Sequence, residues 1–344
     1  MRVALDAMGG DHAPGPIVDG AVHAVRDVPG LTVVLVGRTD AVEAELARHD
    51  GLPRDRLPVV HAAEVIGMDE KPVDALRKKR DNSISKCWGL LAAGEVRAVV
   101  SAGSTGAMVA SALFNAKMFL PGVRRPGIAA IFPSRRGPVV ILDVGANMNA
   151  KPEDLYQYGV MGGVFAEQIL GVKEVTIGLL NVGSEEDKGN ELVRSTRDLF
   201  RNSPMAGRFV GYLEGRDIYD GNARVVVCEG FTGNVLLKAG EGAVEFLFGA
   251  IKEELGKLIP QLGGGASGAG AKVVGTLREL KARYEYEEYG GGPLLGIRGA
   301  CLICHGSSGA RAIKNACRVA GTLADDRISQ MIIDQLAQAP KVEG

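Results

Sequence analysis

Aromatic residues are scarce: nine Phe, seven Tyr and one Trp in 344 residues. A platform for stacking bases or sugars would therefore have few members. Net charge is almost absent as well, with 40 Lys and Arg against 41 Asp and Glu. Without a whole-chain basic field, nucleic acid is not an expected partner. Cysteine is sparse and odd in number. Cys87, Cys228, Cys301, Cys304 and Cys317 are too dispersed for a disulfide framework and fit a reducing compartment. No run approaches the roughly 18–20 apolar residues that cross a bilayer. Asp6 cuts the apolar start of the chain, so no secretion signal is expected. The expected location is the cytoplasm, with attachment to the inner membrane surface left open.

Glycine, by contrast, is abundant: 48 residues, about twice the usual share of roughly 7%. With 46% hydrophobic residues and no Gly-X-Y period, this is a core-forming chain and neither collagen nor a disordered tract. Short apolar runs alternate with segments of helical period. Strands are expected at Arg2–Asp6, Leu31–Val36, Ala98–Ser101, Ile128–Phe132, Val139–Asp143, Val175–Leu180, Val225–Cys228 and Ala300–Cys304. Helices are expected at Pro16–Asp27, Thr39–Arg48, Thr105–Met118, Glu153–Leu170, Asn190–Phe200 and Ser308–Leu323. This alternation predicts a three-layer αβα fold with a mainly parallel sheet.

One segment breaks the rhythm. Val244, Leu247, Phe248, Ile251, Leu255, Leu258, Ile259 and Leu262 form one apolar stripe. A second follows through Val273, Leu277, Leu280 and Tyr284, after the glycine-rich stretch 263–270. The pattern predicts a helical hairpin over 244–284, with two readings open: a packed or dimer face, and contact with a membrane surface. Gly263–Gly268 satisfies G-x-G-x-x-G, but it follows a helix instead of a strand, so it is read as a connector. Cys301-Leu302-Ile303-Cys304-His305 has the haem-attachment spacing, yet its cysteines fall in an apolar strand pattern and no further zinc ligands accompany them. No metal or cofactor is assigned. A Walker A motif and a serine-nucleophile elbow are also missing.

The glycines gather after the strands. Asp6 leads into Gly9, Gly10, Asp11 and His12; Ser101 into Gly103, Ser104 and Thr105; Asp143 into Gly145 and Asn147. Asn181 leads into Gly183 and Lys188, Glu229 into Gly230, Gly233 and Asn234, and His305 into Gly306 and Ser307. Loops at strand carboxyl ends, with helix N-termini behind them, suit an anion such as phosphate. For any single loop, ordinary turn and cap geometry is the plainer explanation. Six loops of the same format point to a shared anion-binding crevice.

These loops carry a family resemblance. Leu5–Pro14, Met68–Pro72, Ser101–Ala107, Leu142–Asn147, Leu179–Asn181 with Lys188-Gly189, Glu229–Lys238 and Gly292–Gly296 together resemble, in order, the phosphate acyltransferases of bacterial phospholipid synthesis, the PlsX family. The resemblance spans about residues 1–335. Glu229 stands where the family commonly has Asp, and Gly292 where Ala is usual. It implies conversion of acyl-ACP and inorganic phosphate into acyl-phosphate and free ACP, feeding a membrane acyltransferase of glycerol 3-phosphate. It further implies a homodimer and a fold similar to isocitrate and isopropylmalate dehydrogenases and to phosphotransacetylases. One domain of two lobes over 1–335 and a tail at 336–344 are expected.

Thioester phosphorolysis suits this residue inventory. Phosphate is already largely dianionic near neutral pH, and the leaving thiolate has a parent pKa of about 8.5. What is needed is positioning and stabilisation of a developing oxyanion. Lys188 is the candidate for attracting phosphate and Asn234 for holding phosphate or the thioester oxygen. His12 is a candidate for phosphate contact or proton transfer. Asp6, Gly9, Gly10, Asp11, Ser104, Thr105, Asn181 and Gly233 would help form the binding loops, with Asp143 and Asn147 organising them. Arg77–Arg80 and Arg124-Arg125 are candidate basic faces for acidic ACP. Alternative readings are a phosphotransacetylase-like enzyme acting on acyl-CoA and a noncatalytic membrane-surface scaffold. A dehydrogenase is less consistent, because no nicotinamide fingerprint accompanies the loops.

Overall fold

The computed structural model describes residues 1–258, 275–276 and 290–339. Among these, eleven strands form one sheet: β1 (Arg2–Asp6), β2 (Thr32–Gly37), β3 (Val59–His61), β4 (Ala98–Ser101), β5 (Gly127–Phe132), β6 (Val139–Leu142), β7 (Ile177–Leu180), β8 (Phe209–Leu213), β9 (Val225–Val227), β10 (Gly292–Leu295) and β11 (Ala300–Ile303). Their spatial order is β3-β2-β1-β4-β11-β10-β5-β6-β9-β7-β8. The expected strands are present with ends shifted by at most two residues. Unforeseen from the pattern are β3, which is very short, β8, which is broken by Gly211, and β10, whose Gly-Pro start masks a strand.

Pairing divides the sheet into two parallel blocks. Strands β3, β2, β1, β4 and β11 share one sense, and β6, β9, β7 and β8 share another. Between them the pairs β11–β10, β10–β5 and β5–β6 are all antiparallel. Three reversals leave the blocks running in opposite directions, with their carboxyl ends on opposite edges of the sheet. The junction is narrow. The four residues of β10 pair through Gly292 and Pro293 with β11, and through Leu294 and Leu295 with β5.

Helices cover both faces. On one lie α1 (Gly15–Asp27), α2 (Thr39–Leu46), α6 (Pro152–Gln168), α7 (Glu191–Arg201), α10 (Ala310–Leu323) and α11 (Asp326–Ala337). On the other lie α3 (Pro72–Lys78), α4 (Ser83–Ala92), α5 (Thr105–Phe114), α8 (Gly215–Asp220) and α9 (Gly230–Leu258). Each helical layer buries a core that includes residues of both blocks. Cys301 joins one core and Cys304 the other. Cys301 lies on β11 and Cys304 directly after it, and three residues apart in extended backbone they face opposite ways, so they cannot jointly hold a haem or metal.

The long helix differs from its expected start. It begins at Gly230, 14 residues before Val244, because the segment read as a glycine loop forms its first turn. Most of the expected hairpin beyond Leu258 and the end of the 336–344 tail lie outside the described residues. Among the described residues, no helix is long and apolar enough to cross a membrane.

Candidate active site

At the carboxyl edge of the first block, Asp6 ends β1 and is 1% exposed. Its Oδ2 accepts the Ser101 hydroxyl at 2.7 Å, and its Oδ1 accepts the Met8 amide at 3.1 Å. Burial pushes the carboxyl above its ordinary value, against the pull of the Ser83 and Ser101 hydroxyls and the Met8 and Gly9 amides. Gly9 permits the Asp6 and Gly103 loops to touch, since a Cβ there would lie 2.6 Å from the Gly103 nitrogen. The Ser104 hydroxyl caps α5 by accepting from the Ala107 amide. The Asp11 amide donates to the Gly306 carbonyl at 2.8 Å, tying the β1 and β11 loops together. Asp11, His12 and Thr105 have exposed side chains at this edge.

The carboxyl edge of the second block is built by a second buried aspartate. Asp143 Oδ1 accepts the amides of Ile128, Gly145 and Ala146 at 2.9–3.1 Å, and Oδ2 accepts that of Asn147 at 2.7 Å. Desolvation still raises its pKa against these four donors. Asn147 is locked in turn, its Nδ2 donating to Tyr158 Oη at 2.8 Å and to the Pro126 carbonyl at 2.6 Å. The start of α9 presses on this loop. At Gly233 a Cβ would lie 1.9 Å from the Asp143 carbonyl oxygen, so only glycine allows the approach. Asn234 then lies over Gly145. From neighbouring β7, Asn181 Nδ2 donates to the Gly183 carbonyl at 3.1 Å, and exposed Lys188 follows on the same loop. Neither the Lys188 ammonium nor the Asn234 amide has a side-chain partner among the described residues.

The structure therefore sorts the expected residues into two groups. Asp6, Gly9, Gly10, Asp11, His12, Ser104 and Thr105 belong to one edge. Asp143, Asn147, Asn181, Lys188, Gly233 and Asn234 belong to the other. Helix α9 connects them. It leaves the second edge at Gly230 and runs back across the short central strands. Its Lys238 lies beyond Asn234 by one helical turn, about 6 Å on the same face. Lys238 Nζ stands 3.5 Å from Nε2 of His305, at the end of β11 on the first edge. Sequence reasoning passed over Lys238. Its four-residue spacing from Asn234 is a signal only once Gly230–Lys238 is known to be helical.

The profile of the fatty acid synthesis protein family matches residues 1–331. A phosphate acyltransferase of Heliobacterium modesticaldum is 49% identical over 321 residues, covering 93% of each chain. That of Desulforamulus reducens is 44% identical over 344 residues, covering 100% of this chain and 99% of its own. The chain belongs to the phosphate acyltransferase family.

Solved structures resemble this phosphate acyltransferase family member in fold. A phosphotransacetylase from Streptococcus pyogenes superposes with a TM-score of 0.58 at 16% identity, covering 96% of this chain and 94% of its own. EutD phosphotransacetylase from Staphylococcus aureus gives 0.56 at 14%, covering 94% of each. Glu229 caps α9: its Oε1 accepts the Thr232 amide at 3.2 Å and the Thr232 hydroxyl at 2.5 Å.

Proposed function

We propose that the protein transfers the acyl group of acyl-ACP to inorganic phosphate, releasing free ACP and an acyl-phosphate for acylation of glycerol 3-phosphate at the membrane. A phosphate oxygen attacks the thioester carbonyl carbon, the C–S bond breaks, and the departing thiolate takes a proton from solvent. Lys188 draws the dianion to the second edge. The Asn234 amide, held over the Asp143 loop, donates to phosphate or to the developing carbonyl oxyanion. Asp6 and Asp143 act behind the reacting groups by fixing their loops; His12 supplies a phosphate contact or a proton from the first edge. Homodimer formation and membrane-surface contact through 244–284 belong to the same reading.

The observation that carries it is the pair of unpartnered donors, Lys188 and Asn234, on loops of adjacent strands built around a fully hydrogen-bonded buried aspartate. Mass-spectrometric detection of acyl-phosphate from acyl-ACP and phosphate tests it. Lys188→Ala, if folded, is expected to lose about 100-fold or more in turnover, as when an oxyanion donor is removed. Wild-type turnover in that variant overturns the lysine's role. Product from acyl-CoA but not acyl-ACP would select the phosphotransacetylase-like alternative.

A further inference from the structure

A second pair of donors meets where α9 reaches the first edge. The Ser307 amide approaches His305 Nδ1 at 3.3 Å, and the Ser307 hydroxyl lies 2.7 Å from the same nitrogen. The Ser307 amide can only donate to Nδ1 and the Lys238 ammonium, 3.5 Å away, only to Nε2, so no neutral tautomer accepts from both. The ammonium has no acceptor to offer in return, so one of the two contacts sets donor against donor. Two donors thus meet with no acceptor between them. The Glu241 carboxylate holds Lys238 from the side at 2.8 Å, through an exposed contact that contributes little and can open. Behind His305, the Asp11 amide secures Gly306.

We propose that His305 and Lys238 bind the reacting phosphate. An oxygen placed over the His305–Lys238 pair accepts from both and resolves the donor–donor contact. Asn234 lies one helical turn from Lys238 on α9. A dianion needs more than the single positive charge of Lys188, and Lys238 supplies the second. This assignment rests on the proposed phosphorolysis for the identity of the anion.

Calorimetric titration with inorganic phosphate, alongside the KM for phosphate in the acyl-ACP assay, tests the site. Lys238→Ala and His305→Ala are each expected to weaken phosphate binding about tenfold or more, as when a hydrogen bond to a charged group is lost. Lys238→Arg should restore much of the affinity, and the KM for acyl-ACP should move little. Unchanged phosphate affinity in both folded alanine variants overturns the assignment, even if acyl-phosphate forms normally. Conversely, weakened phosphate binding in these variants with no acyl-phosphate formed by the wild type supports the site and refutes the proposed reaction.

Discussion

Asp6 and Asp143 show how two single residues organise the loops. Asp6 ends β1 and Asp143 directly follows β6, in the similar contexts Ala-Leu-Asp and Ile-Leu-Asp, and each is buried beneath glycine-rich turns. Their presence was legible in the sequence; their role as acceptors for backbone amides was not, because it depends on how the following turn folds. Because burial raises the Asp6 pKa above its ordinary 3.8, the folded state retains a proton that the unfolded chain has lost. Asp6 therefore contributes stability at low pH that fades as pH rises from the ordinary value through the folded one. Asp6→Asn should flatten this part of the stability profile, measured by urea unfolding across acid to neutral pH. A profile parallel to wild type would contradict the role of burial.

Helix α9 exposes the limits of reading elements from local pattern. Gly230 and Gly233 weaken helix propensity, so the Glu229–Asn234 stretch reads as a loop. Tertiary packing decides otherwise: the Asp143 turn leaves no room for side chains, and Glu229 supplies the cap. Gly233→Ala forces a Cβ into a carbonyl oxygen and should cost about 3 kcal/mol, the upper part of the overpacking range. Urea unfolding would register it, and a neutral effect would mean that α9 can shift without loss. The basic run at α3 was legible as sequence but not in its pairing. Lys79 is engaged by Glu70, whereas Arg77, Lys78 and Arg80 have exposed side chains. Replacing these three by Glu should raise the KM for acyl-ACP severalfold at low salt and leave that for phosphate unchanged. No change at any salt concentration would remove α3 as the carrier's docking face.

At the scale of the molecule, the alternation of strands and helices was readable, but the opposed blocks were not. Their reversal depends on β10, a four-residue strand with no clear pattern, and on long-range pairing with β5 and β11. The cysteines report on both helical layers. Cys87, Cys228 and Cys301 are buried under one, and Cys304 and Cys317 under the other. Burial raises every thiol pKa, that of Cys317 to about 12, so the thiolate needed for reaction is scarce at pH 8. Ellman's reagent should find no reactive thiol in the native protein at that pH and all five in denaturant. A fast-reacting native thiol would show that one layer opens locally. The opposed blocks have an electrical consequence. Each helix following a strand starts at that strand's carboxyl end, so α5 and α10 direct their positive poles to one edge, while α7 and α9 direct theirs to the other. Positive poles therefore stand at both edges of one sheet, a local preference for negative charge that does not depend on the net charge of the chain.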